Sequence, residues 1–322
     1  MLISKVQEIN YIIPTAKIAK IDNLIPRLCA EEMNTLYPLT GEELLDQMNK
    51  DYIKMSENLW EEGVERSPEE KMKVNIIRMA QEVLLYTYLA NHSAILQSSL
   101  NMGGGWNKPS TEDYDALDDK ANTRLDRDLW NSSKRAKENF LRWIEKDATS
   151  TEVYLESWKG SPFYNAQKKL LFAKASDIHP VYADLGDFPY LNFNKYVPVI
   201  NNCQDGFIAG AIGDKLLKEL IGMRMEKEGR SEEWITLEQH VKLALANFVQ
   251  YEMEGAKNEH VRNRGEAQLT LARTVILNNY DSFKEFLKGT PLYKEEEVTE
   301  LPKKDKMKKE KKNNGTVFSL LN

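Results

Sequence analysis

Acidic side chains crowd one stretch of this 322-residue chain, where EDYDALDD places Glu112, Asp113, Asp115, Asp118 and Asp119 close together, with Asp126 and Asp128 beyond it. Such a run could interest a hard cation. Calcium, however, takes about six to eight oxygens and a glycine at the sharp turn of its loop, and no glycine interrupts this run. Helix-start acids on a solvated face are expected instead. Just ahead, Gly103, Gly104 and Gly105 could cradle a phosphate, but Trp106-Asn107-Lys108-Pro109 follows them. A phosphate-binding loop would continue into Gly-Lys-Ser/Thr and a helix, so a loop hinge is expected. The four histidines (His92, His179, His240, His260) form no HExxH pattern and have no CxxC beside them, which leaves no metal-ligand spacing. GxSxG and dinucleotide fingerprints are missing too. The sequence therefore nominates no catalytic residue, no cofactor and no metal, and only a Ser–His–Asp grouping assembled by folding stays open.

Composition narrows the class further. A 41% hydrophobic and 29% charged chain with 16 Gly and 11 Pro matches a globular protein and leans away from a turn-rich β-sandwich. No run of 18 apolar residues occurs, so no membrane-spanning helix is expected, and MLISKVQEINYIIPTAK lacks the pattern of a secretory signal. Cys29 and Cys203 are too few for a disulfide framework and are read as reduced, part-buried thiols of a chain made in the cytoplasm. The net charge is −6, yet KKDKMKKEKK at 303–312 carries +5, so the rest carries −11. Such a body repels nucleic acid. The lysine run itself reads as a solvated linker, with contact to phosphates as the alternative.

The elements that would position any site show an internal duplication. IDNLIPRLCAEEMNTLYPLTGEELLDQM (21–48) aligns without a gap on FNKYVPVINNCQDGFIAGAIGDKLLKEL (193–220), pairing Pro26 with Pro198 and Gly41 with Gly213. Each copy predicts a helix with proline in its first turn, then a break, then a glycine and an acid opening a second amphipathic helix. If φ at Gly41 and Gly213 is positive, replacing either is costly. A longer helix comes next in both, with capping boxes expected at Ser67/Glu70 and at Thr236/Gln239. VYLESWKGSPFY (153–164) then aligns on SFKEFLKGTPLY (282–293). There Gly160 and Gly289 are expected as helix C-caps, Pro162 and Pro291 as stops, and Tyr164 and Tyr293 as aromatic anchors.

The offset falls from 172 to 129 along the chain, so the first copy carries about 40 extra residues, placed around the loop NMGGGWNKPSTEDYDALDD. ASDIHPVYADLGDFPYLNF (175–193) is expected to be irregular or short extended structure. The prediction is an all-α protein of two tandem diverged copies: residues 1–170 with an inserted loop at about 102–120, residues 171–295 with the connector and second copy, and 296–322 as a charged linker with an apolar tip. Val317, Phe318, Leu320 and Leu321 in that tip, and Gly103–Trp106 in the loop, are the expected partner-binding residues. Large apolar side chains beyond a polar tether gain nothing in water and suit a neighbour's groove.

The duplicated unit, with LTGEEL or IGDKLL at its break and WKGSPFY or FLKGTPLY at its close, resembles a helical family of tailed phages of Bacteroidetes, crAss-like phages among them. More broadly it resembles the head–tail connector proteins that form rings below a phage portal. The resemblance spans about residues 18–293 and implies a virion subunit in a homo-oligomeric ring of twelve copies. It implies contacts with portal, connector and tail proteins, DNA only as channel contents, no membrane, and no catalytic residue. This chain departs from single-unit connectors in fusing two units. A cellular helical adaptor or scaffold, and an enzyme with a dispersed site, are the alternative readings.

Overall fold

The computed structural model describes residues 1–13, 21–22, 24–99, 119–147, 152–179, 182, 185–223 and 230–294, and these are α-helices with connecting turns and no strand among them. The first half opens with α1 (Val6–Ile12) and α2 (Ile25–Glu31), which passes through a π turn (Glu32–Leu36) into α3 (Tyr37–Met55). A long pair, α4 (Pro68–Ser99) and α5 (Asp119–Asp147), leads to the short α6 (Glu152–Lys159) and α7 (Pro162–Gln167). The second half repeats the order. It runs through α8 (Ala175–Ile178), α9 (Pro189–Cys203), a π turn (Gln204–Ile208), α10 (Ala209–Ile212) and α11 (Asp214–Met223). The pair α12 (Glu232–Met253) and α13 (Glu259–Asn278) is next, then α14 (Tyr280–Phe283) and a 3₁₀ turn. Two clusters of buried residues match this division, one from Leu2 to Phe163 and one from Leu170 to Leu287.

The duplication is most exact in the backbone. Each π turn lies at the same place in its copy, Glu32–Leu36 and Gln204–Ile208, an offset of 172. The wider turn holds one residue more than an α turn and rotates the helix beyond it, so that Leu36 and Ile208 both point into the core. Next come the junction glycines, Gly41 at φ 73° and Gly213 at φ 93°, with ψ of 175° and 145°. Only glycine occupies that region readily. Beyond them Leu44 and Leu216, then Met48 and Leu220, are wholly buried.

Two further correspondences involve the ends of the unit. A Cβ on Gly41 would come within 2.9 Å of the Ser161 Cα, while one on Gly213 would strike the Thr290 Cγ2. Ser161 and Thr290 are themselves equivalent, so in both halves the closing Gly-Ser/Thr-Pro segment seats on the junction glycine. At the other end, Glu32 Oε2 accepts the Leu2 amide at 2.8 Å and Gln204 Oε1 accepts the Leu171 amide at 2.8 Å. Glu8 accepts the amides of Ser4 and Lys5, and Asp177 those of Ala173 and Lys174. Residues 170–178 therefore reopen the unit as residues 1–9 open it.

Several expectations need correction. Part of the 175–193 segment is helical, because α8 and the start of α9 occupy it. Pro26 lies in the first turn of α2, where a proline's missing N–H costs nothing, but Pro198 lies inside α9, which starts at Pro189. Ser67 and Glu70 form their reciprocal cap, with bonds of 3.2 and 2.9 Å. Thr236 and Gln239 do not, since α12 begins at Glu232 and contains them. The register implied by that false cap fails as well: residues 169 beyond Val74, Gln81 and Leu84 are Leu243, Gln250 and Met253, all exposed.

The closing segments also diverge. Gly289 has φ 85°, while Gly160 is absent from the positive-φ residues and instead leaves room for the Glu43 carboxylate. Pro162 does not stop the chain; with Ser161 as N-cap, accepting the Tyr164 amide, it opens α7. Pro291 enters a turn, with no helix after it among the described residues. Tyr164 and Tyr293 both pack half-buried against the cores of their own halves. The extra length of the first half is partly helix, for α4 and α5 have 32 and 29 residues against 22 and 20 in α12 and α13. Both cysteines are free thiols, Cys203 buried as expected but Cys29 exposed.

Candidate interaction surfaces

The helix α5 shows how one half meets the other. Its Ala136, Phe140 and Ile144 are buried in the first core. Glu138, Arg142 and Glu145 recur at four- and three-residue spacing, which places them together on a second face. A charged stripe of this kind ordinarily faces water. Here it faces the opening of the second half.

At that seam, Glu138 Oε2 accepts the Leu191 amide at 2.9 Å. Leu191 lies in the first turn of α9, where amides have no partner within the helix and the helix dipole favours an anion. The other oxygen of Glu138 takes the Arg142 guanidinium at 3.2 Å, and that guanidinium lies over the Tyr190 ring, 5.6 Å from its centroid. Tyr190 packs against both cores. One turn further along α5, Glu145 is buried beside the Ala175 amide at the start of α8. Burial pushes its carboxyl up to about 8; the Ala175 amide and then Lys174 oppose that, while Asp177 and Glu138 add to it. Burial thus favours the neutral carboxyl, inside the contact between halves.

The corresponding face of the second half is open. With Leu129 matched to Val261, Ser133 to Gly265, Phe140 to Ala272 and Ile144 to Ile276, all buried, the seam residues Glu138, Arg142 and Glu145 fall on Thr270, Thr274 and Leu277, all exposed. Asn263, Ala267 and Leu271 extend the stripe, also exposed. No charged residue lies among these six, although the same helix carries Arg262, Arg264, Glu266 and Arg273 at its other positions. Leu271 is 45% exposed and Leu277 41%.

The residues that the sequence marked form no common site among the described residues. Gly103, Gly104, Gly105, Trp106, the acids up to Asp118, and Val317, Phe318, Leu320 and Leu321 lie outside the described residues. Asp128 pairs on the surface with Arg124 and Arg127. His92 packs on Tyr88, His179 Nδ1 accepts the Leu185 amide, and His240 Nδ1 meets Gln268 Oε1 at 2.9 Å. No group of three or more potential metal ligands forms among the described residues. A shallow open depression lined by Gly63–Ser67 and Lys71 gathers no set of groups suited to chemistry.

Sequence reasoning missed the seam because Glu138, Arg142 and Glu145 look like a solvated stripe. Only their opposite number, the uncharged run through Thr270, Thr274 and Leu277, breaks the usual pattern of an exposed helix face. What the two faces can do is bind and orient other helices. No family model, curated protein or solved structure matches this chain.

Proposed function

We propose that the chain is a structural virion protein of a tailed phage: a head–tail connector subunit in a ring of twelve copies below the portal, joined to connector and tail proteins around the DNA channel. The observation that carries this reading is the seam. A helical unit that packs its α5 face on the opening of its own successor is built to be followed by another like it. The −11 charge of the chain outside 303–312 adds support, since an acidic wall lets DNA slide rather than adhere. The loop around Gly103–Trp106 and the tip at Val317–Leu321 supply contacts with neighbouring proteins in this reading.

Electron microscopy of the purified chain and of phage particles tests it. Rings of defined symmetry located between portal and tail are expected. A chain that is monomeric in solution and missing from particles would overturn the proposal.

A further inference from the structure

We infer that the exposed α13 face formed by Asn263, Ala267, Thr270, Leu271, Thr274 and Leu277 docks on the opening segment of a second copy of this chain, head to tail. The inference deepens the ring-subunit reading and rests on it, but its argument comes from the two halves. Within one chain, the α5 face at Glu138, Arg142 and Glu145 is covered by the start of the next unit, at α8 and the first turn of α9. The α13 face occupies the same place on the second unit and is left uncovered among the described residues.

Its chemistry suits a permanent contact better than it suits water. An isolated exposed leucine is ordinary, but a stripe six residues long with no charge on it is not how a solvated helix face is kept soluble. The counterpart is also identifiable. Segment 1–9 repeats segment 170–178 in its hooks, with Glu8 matching Asp177 and Leu2 matching Leu171. Its helix α1 therefore stands where α8 stands at the seam, and Gln7 and Asn10 on it are exposed. A contact that joins the back of one copy to the front of another is heterologous, so repetition closes into a ring when the rotation allows it. The covered face uses the Glu138 carboxylate to hold an amide, and its equivalent Thr270 carries no charge, so the contact between copies is the less polar and the weaker of the two.

The test measures the mass distribution of the full chain against concentration by light scattering and native mass spectrometry. Wild type is compared with Leu271→Glu, Ala267→Arg, Gln7→Arg and, as a control elsewhere on the surface, Ile53→Glu. Association is expected to need at least about tenfold higher concentration for Leu271→Glu and Ala267→Arg, with a smaller increase for Gln7→Arg. Ile53→Glu should associate as wild type does. Circular dichroism should show the wild-type helix content throughout, because all four positions are exposed. Association of wild type that is unaffected by Leu271→Glu and Ala267→Arg overturns the assignment of this face and leaves the ring reading standing. A wild-type chain that never associates overturns this contact, and the ring reading falls with it when the chain is missing from particles as well.

Discussion

The two halves keep their backbone devices and exchange nearly everything that packs around them. Each has the π turn, the left-handed glycine after it, the closing Ser or Thr seated on that glycine, and the carboxylate or amide that hooks the opening segment. Inside, the first half builds a polar network in which Glu8 receives the Tyr52 hydroxyl at 3.0 Å and Asp51 receives the Tyr154 hydroxyl at 2.9 Å. The second half fills comparable space with rings. Phe207 stacks on Phe248 at 4.3 Å, and Trp234 meets Phe283 and Phe286 edge-on. The lesson is that a core accepts many fillings of the right volume, whereas a backbone turn that sets direction accepts few residues.

The sharpest way to break the comparison is at the junction glycines. Gly41→Ala should cost about 3 kcal/mol or more, the sum of strain at positive φ and a clash with immobile backbone at Ser161. Gly213→Ala should cost less, about 1–3 kcal/mol, because the Thr290 methyl it meets can rotate away. Adding Thr290→Ser should recover part of the Gly213→Ala loss, while no substitution at Ser161 should rescue Gly41→Ala, as its Cα remains. Urea unfolding of the single and double variants measures all of these effects. Equal losses at the two glycines would show that the closing segments are not equivalent.

A second test separates the covered face from the open one. The carboxyl of Glu145, raised by burial from 4.5 to about 8, is neutral in the folded chain and ionised in the unfolded chain between those values. Its contribution is therefore intact below about pH 4.5, declines as pH rises towards 8, and is constant above that. Glu145→Gln should remove this slope and raise stability at pH 8 by at least about 1 kcal/mol. Leu277→Glu, at the open equivalent, should introduce no such slope. Denaturation midpoints across pH 5–9 give the answer, and an unchanged slope in Glu145→Gln would mean that the seam carboxyl is hydrated.

The smallest expected effects concern the helix starts. Ser67→Ala should cost about 1 kcal/mol by removing half of a reciprocal cap. Thr236→Ala, well inside α12, should stay within about 0.5 kcal/mol. Comparable losses from both would restore the alignment that the burial pattern rejects.

Legibility in the sequence divides along the same line. Fold class and the junction glycines could be read because Gly-Glu and Gly-Asp after an amphipathic run have a local cause. The opening hooks could not, since MLISKVQEI and LLFAKASDI share apolar placement and an acid but few identities. The Thr236 cap misled because Ser/Thr-x-x-Glu/Gln arises readily by chance, whereas Ser231 and the acids Glu232 and Glu233 start the helix earlier. The seam was hidden for a different reason. Glu138 is polar by type and buried by position, and only a neighbouring helix start makes that arrangement stable.

The paired π turns also carry a date. A helix acquires such a turn when one residue is inserted, and two independent insertions would have no cause to land at matching positions in copies that otherwise share so few side chains. Glu32–Leu36 and Gln204–Ile208 thus descend from a single insertion that was already present in the ancestral unit before it doubled. The lengthened α4 and α5 pair belongs to one copy alone, which makes it a later event or a later loss. The chain preserves the order of its own assembly: the turn came first, the doubling second, and the unequal arms last.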